Sequence, residues 1–185
     1  MKTVGILALQ GDFEAHLKAI EKAGGRGVEV RTREEMNACD GLILPGGESS
    51  TMLKLIAYEN LTEPLRAFGE KKPIYGTCAG AILLAKEVSH PAQFSFGLMD
   101  IAIERNGYGR QIDSRIVKLD LKGGGTFEAV FIRAPIIRRV GEGVQVIAQY
   151  NGDPVWAQQG LHMVTTFHPE LTGDESVHQR FIERL

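Results

Sequence analysis

Cys78 lies in Gly76-Thr77-Cys78-Ala79-Gly80, between the apolar run Pro73-Ile74-Tyr75 and the apolar stretch Ala81-Ile82-Leu83-Leu84-Ala85. A strand that stops at Gly-x-Cys-x-Gly and runs straight into a helix is the cysteine form of a nucleophile elbow. Glycines two residues either side of the nucleophile let the chain bend sharply and the helix pack close to the strand. The first turn of that helix offers backbone N–H groups and partial positive charge, which favour thiolate over thiol. The spacing points to nucleophilic cysteine chemistry. A plainer reading is a buried cysteine at a tight junction, since free cysteine is among the most buried residue types.

A nucleophile needs a base. Ninety residues further on stands Thr165-Thr166-Phe167-His168-Pro169-Glu170. The residue before a proline is pushed towards extended backbone, so His168 and Glu170, two apart, are expected to project to one side. The carboxylate can then hold one imidazole nitrogen while the other faces a thiol, the arrangement that activates a nucleophile and later protonates a leaving amine. Taken alone, His-Pro-Glu reads equally as a surface turn after a strand.

A third segment, Leu42-Ile43-Leu44-Pro45-Gly46-Gly47-Glu48-Ser49-Ser50, takes a buried-type strand into two glycines, then a carboxylate and hydroxyls suited to capping a helix. Paired glycines free backbone N–H groups to point at an anion. Gly46 and Gly47 could therefore complete an oxyanion hole with the N–H of Ala79. No Gly-Lys-Ser/Thr follows, which disfavours a nucleotide P-loop.

With these segments in place the chain resembles the class I (triad) glutamine amidotransferases. Within them it resembles the glutaminase subunits of pyridoxal 5′-phosphate synthase. Matching stretches include Leu7-Ala8-Leu9-Gln10-Gly11, Glu104-Arg105-Asn106, Gly109-Arg110-Gln111-Ile112-Asp113-Ser114, Phe131-Ile132-Arg133-Ala134-Pro135 and Phe167-His168-Pro169-Glu170-Leu171-Thr172. The elbow and His-Pro-Glu belong to triad glutaminases generally; the arginine-bearing middle blocks single out the vitamin B6 branch. Ser50-Thr51 and Gly107-Tyr108 depart from the usual pattern without touching the triad.

The resemblance implies hydrolysis of the L-glutamine side-chain amide by Cys78, His168 and Glu170. It also implies a substrate pocket lined by Gly47, Glu48, Ser49, Arg105, Ile132 and Arg133, and a part for Gln10 in partner-dependent activation. An arginine suits an α-carboxylate. Arg110 and Asp113 are expected to form a structural pair or partner surface. The implied partner is a PdxS-type synthase subunit, a barrel that consumes the ammonia within a large hetero-oligomer. No bound cofactor is expected. Three rivals stand beside this reading: an amidotransferase subunit feeding imidazole or purine synthesis, a flavodoxin-like cysteine peptidase or redox sensor, and a silent binding module. In the second group His commonly follows the elbow cysteine, where this chain has Ala79.

The 185 residues, 43% hydrophobic, suffice for one well-filled core and are short for two domains, so a single domain over 1–185 is expected. A net charge of −2 gives no bulk basicity for nucleic acid or an anionic membrane. Met1-Lys2-Thr3-Val4-Gly5 opens directly into a strand, and no signal-peptide core or membrane-length apolar run appears, so a cytoplasmic location is expected. Cys39 and Cys78 make a poor disulfide framework, and Cys39, without flanking glycines, reads as structural. Among His16, His90, His162, His168 and His178 no metal-ligand spacing occurs, so no metal site is expected.

These groups need a frame. Apolar, non-alternating strands at Val4–Leu9, Val28–Val30, Gly41–Leu44 and Pro73–Tyr75 suggest burial on both faces. Helical patterns separate them at Phe13–Ala23, Glu34–Ala38, Ser49–Tyr58 and Leu61–Phe68. The expected fold is α/β, a three-layer flavodoxin-like sandwich around a central, mostly parallel sheet. Gln10, Gly46–Gly47 and Cys78 would then share its carboxyl edge. After Lys86 the spacing predicts further strands near 98–103, 116–121, 127–132, 144–150, 155–158 and 163–167, and additional antiparallel strands are expected in this C-terminal half. Val88–Phe96 reads as a loop, Gly123-Gly124-Gly125 as a turn, and Glu175–Leu185 as an amphipathic helix with Val177, Phe181 and Ile182 inward.

Overall fold

Strands that are apolar on both faces need helices above and below them. The computed structural model, which describes residues 1–106 and 115–185, has that arrangement. β1 (Thr3–Leu7), α1 (Phe13–Lys22), β2 (Arg26–Val30), α2 (Arg33–Asn37), β3 (Gly41–Leu44) and α3 (Ser49–Tyr58) alternate from the start. α4 (Thr62–Gly69), β4 (Ile74–Thr77) and α5 (Ala79–Leu84) carry the alternation through the cysteine motif. Strands then dominate: β5 (Ala85–Ser89), β6 (Met99–Glu104), β7 (Arg115–Asp120), β8 (Thr126–Phe131), β9 (Ile136–Val140), β10 (Gln145–Tyr150), β11 (Asp153–Gln159) and β12 (His162–Thr165). Helix α6 (Ser176–Ile182) follows.

The central sheet has the order β10-β11-β12-β4-β3-β1-β2. Its five strands from β12 to β2 are parallel, and β11 and β10 continue it antiparallel. Successive side chains of these strands feed two cores. Leu42, Leu44, Ile74 and Val164 pack with Met36, Met52, Ile56, Leu65 and Phe68 from α2, α3 and α4. Ile43, Tyr75 and Met163 face the other way, against Ile20 of α1 and Val177 and Phe181 of α6. The three layers follow. A small sheet, β5-β6-β9, extends the first core through Met99, Ile101, Ile103 and Ile137. The β7–β8 hairpin covers the second through Leu119, Phe127, Ala129 and Phe131.

Two segments differ from expectation. Val88 and Ser89 belong to β5 rather than to a loop, and Ile136–Val140 forms β9 where no strand is predicted. β5 carries exposed Lys86 and Glu87, and its extended form is set by parallel pairing with β6. β9 pairs antiparallel with the other edge of β6, and Arg139 meets Glu87 and Asp100 at 2.9 and 3.0 Å. Both strands are made by partners distant in sequence. No helix among the described residues is long and apolar enough to cross a membrane.

Candidate active site

The ninety-residue gap between the cysteine and the histidine closes because β4 and β12 are parallel neighbours, with Thr77 in register with Thr165. Their carboxyl ends coincide. The Cys78 N–H donates to the Thr165 carbonyl at 2.9 Å, and the His168 N–H donates to the Val130 carbonyl of β8 at 2.8 Å. Gln10 and Gly46–Gly47, following β1 and β3, lie on the same edge, as predicted.

Cys78 caps α5 with φ 49° and ψ −106°, a conformation that L-residues rarely adopt and that costs on the order of 1–3 kcal/mol. Packing over-determines it. A Cβ on Gly80 would lie 2.0 Å from the Leu44 carbonyl oxygen, so only glycine lets α5 press against β3 this closely. The Cys78 sulfur is 3.9 Å from the Ile132 carbonyl oxygen.

His168 Nδ1 lies 2.7 Å from Glu170 Oε1, and the ring lines the same cavity as Cys78, with Gly46 packed against both. All three side chains are buried. The local route differs from the predicted one. His168 has φ −108° and ψ 85°, and Pro169–Leu171 form a 3₁₀ turn with proline at its start. Glu170 reaches back to the ring through this turn, not through strand alternation, because proline's fixed φ suits the start of a helical turn. Burial opposes charge on His168 and is the largest influence. Hydrogen bonds to Cys78 and Glu170, with the charges of both, outweigh it and raise the imidazole to about 10. Burial likewise pushes Glu170 up, but His16 and His168 prevail and hold it below the ordinary carboxylate value.

The glycine loop is fixed against His168 and Cys78. A Cβ on Gly46 would come within 2.5 Å of His168 Cε1 and 3.5 Å of Cys78 Cβ. The Gly46 carbonyl accepts from the Asp12 N–H at 3.1 Å. Gln10 Oε1 accepts from the Glu48 N–H at 3.0 Å, tying the loop after β1 to the loop after β3. Glu48 caps α3 as its sequence position predicts, accepting from the N–H groups of Ser50 and Thr51 at 3.2 and 2.7 Å and from both hydroxyls. The Ser50 hydroxyl is the largest influence lowering its carboxyl to about 2. Arg105 Nη2 lies 3.4 Å from Glu48 Oε1, and buried Ser49 donates its hydroxyl to Gln93 Oε1 at 3.3 Å.

A cavity of about 380 Å³ is lined by Gln10, Gly47, Glu48, Ser49, Cys78, Ala79, Arg105 and Arg133. A second, of about 360 Å³, is lined by Gly46, Gly47, Cys78, Ile132, Arg133 and His168. Cys78 is common to both, and each has the size of a small-molecule site. Arg133, at φ 44°, is a further non-glycine residue held in the left-handed region. The candidate residues line these two cavities, and Glu170 joins them through His168; the Gly109–Ser114 block with Arg110 and Asp113 lies outside the described residues. Cys39 is elsewhere, buried, with its thiol donating to the Glu35 carbonyl at 3.3 Å.

Sequence reasoning passed over His16 and His178, which lie buried behind Glu170. The available signal was positional: His16 falls on the inward face of α1, four residues before Ile20, and His178 sits between the inward Val177 and Phe181.

Solved structures share this architecture. A crystal structure of a glutamine amidotransferase superposes with a TM-score of 0.91 at 44% identity, covering 98% of this chain and 97% of that one. PurLQS from Thermotoga maritima, at a TM-score of 0.73 and 16% identity, covers 99% of each chain and shares the fold. The fold is that of the class I glutamine amidotransferases. More narrowly, the SNO glutamine amidotransferase family model matches residues 6–185, and the chain belongs to that family. A relative from Solibacter usitatus (strain Ellin6076), named pyridoxal 5′-phosphate synthase subunit PdxT, is 57% identical with all of both chains covered. Another of the same name, from Koribacter versatilis (strain Ellin345), is 51% identical over 98% of this chain and 95% of that one.

Proposed function

We propose that this chain is the glutaminase subunit of a pyridoxal 5′-phosphate synthase, one domain over residues 1–185 that hydrolyses L-glutamine to L-glutamate and ammonia. The observation that carries the reading is Cys78, at positive φ, lining one cavity with an imidazole that Glu170 holds at 2.7 Å. The PdxT relatives supply the pathway.

An imidazolium at the sulfur stabilises negative charge on it. The Cys78 thiolate attacks the side-chain carbonyl carbon of glutamine, and the oxyanion is met by backbone N–H groups of Ala79 and the Gly46–Gly47 region. One such donor is worth about 3–4 kcal/mol in the transition state. His168, oriented by Glu170, gives its proton to the departing nitrogen, which leaves as ammonia. The neutral imidazole then takes a proton from water, which attacks the thioester carbon, releases glutamate and restores the thiolate–imidazolium pair. Arg105 or Arg133 suits the substrate α-carboxylate. Ammonia passes to a PdxS-type synthase subunit in a hetero-oligomer, which joins it to sugar phosphates.

Glutamate release from glutamine, assayed with and without the synthase, tests this. Cys78→Ala is expected to lose at least about 10⁴-fold in kcat and His168→Asn a comparable factor. Peptidase activity without glutaminase activity would overturn the reading in favour of a cysteine peptidase.

A further inference from the structure

The proposed triad uses one oxygen of Glu170. The other, Oε2, has no hydrogen-bond partner and faces His16 Nε2 at 3.6 Å. That nitrogen also lies 3.2 Å from the Oγ1 of Thr77, the residue before the nucleophile. Across the His16 ring, Nδ1 is 3.0 Å from His178 Nε2. Both histidines are fully buried, and both pack edge-on to Tyr75. Three elements therefore converge behind the carboxylate: α1, α6 and the turn after β12.

Two neutral imidazoles in hydrogen-bond contact share one proton, so only two arrangements exist. If His16 Nδ1–H donates to His178, then His16 turns a lone pair towards a buried carboxylate, and Oε2 has no donor in reach. If His178 Nε2–H donates to His16, then His16 carries its proton on Nε2, between Thr77 Oγ1 and Glu170 Oε2. His178 Nδ1, which has no partner, is then a lone pair and not a buried N–H. The first arrangement would bury an unpaired N–H at His178 Nδ1 and turn a lone pair towards the carboxylate; the second avoids both costs. At 3.6 Å the contact with Glu170 is electrostatic, with Thr77 the nearer acceptor. Burial disfavours charge on both rings and lowers both, His178 to about 3, which favours the neutral pair.

We propose that His178 and His16 are positioning residues that extend the triad, each donating its Nε2–H inward so that Glu170 stays aimed at His168. The proposal rests on the triad reading above. Its test is steady-state glutaminase kinetics in the reconstituted complex with the synthase, with Cys78→Ala as reference. His16→Phe, which keeps bulk and loses the donor, is expected to lower kcat about 10–100-fold, as other supporting-shell losses do, with KM unchanged. His16→Gln, which keeps an N–H, recovers most of the loss. Equal losses in both variants would mark a packing role and overturn the proposal. So would a folded His16→Phe with parental kcat while Cys78→Ala is inactive; turnover by Cys78→Ala would instead overturn the triad itself. Should His16→Phe fail to fold, ¹⁵N NMR of the imidazole nitrogens in the parent decides. A proton on His16 Nε2 supports the proposal, and one on Nδ1 overturns it.

Discussion

At His168 burial penalises the imidazolium while Cys78 and Glu170 stabilise it, and the two partners prevail, raising the group to about 10. Glu170→Gln removes one of those partners. It is expected to bring the imidazole pKa down and to cost about 10²–10⁴-fold in kcat, as loss of an orienting carboxylate does elsewhere. NMR titration of His168 and the glutaminase assay check both. The neighbouring His178 has the opposite linkage. Lowered by burial from the ordinary 6.5 to about 3, it binds fewer protons folded than unfolded, so it favours the fold above pH 6.5 and disfavours it as pH falls towards 3. Glu48, lowered to about 2, loses its contribution as pH falls through 4.5 towards 2. The urea midpoint is therefore expected to drop steadily below pH 6.5, and His178→Phe is expected to flatten the upper part of that fall. An unchanged slope in the variant would assign the acid sensitivity to other groups.

The elements position these residues through close backbone approach, and glycine substitutions separate the two jobs. Gly80→Ala drives a Cβ into the Leu44 carbonyl, backbone against backbone, and is expected to cost about 1–3 kcal/mol of stability in thermal denaturation. Gly46→Ala meets the movable His168 ring instead, so it is expected to lower kcat far more than stability. β1, β3 and β4 were legible because each is a short apolar run leading into a glycine-bearing segment, and those segments carry the candidate site. β5 and β9 were not, because Lys86, Glu87, Arg138 and Arg139 break the apolar pattern and only pairing to β6 makes them strands. The same limit hid His16 and His178. Nothing local marks His16 as a neighbour of Glu170, or as a partner of His178 across 162 residues.

For the molecule as a whole, the sheet divides two cores, and the candidate site opens at its carboxyl edge, where loops from four parallel strands meet. That edge is open to solvent at Ile132 and Leu171, which are 38% and 43% exposed. Free ammonia serves little purpose without a consuming site, so docking on the synthase is expected to raise the glutaminase rate well above that of the free chain. A free subunit already at full rate would contradict this. The proposal as a whole comes down to one covalent event. Acid-quenching the reconstituted complex during glutamine turnover and mapping peptides by mass spectrometry is expected to find a glutamyl group on Cys78 and none on Cys39. Turnover with Cys78 never acylated, or undiminished in Cys78→Ala, would contradict it.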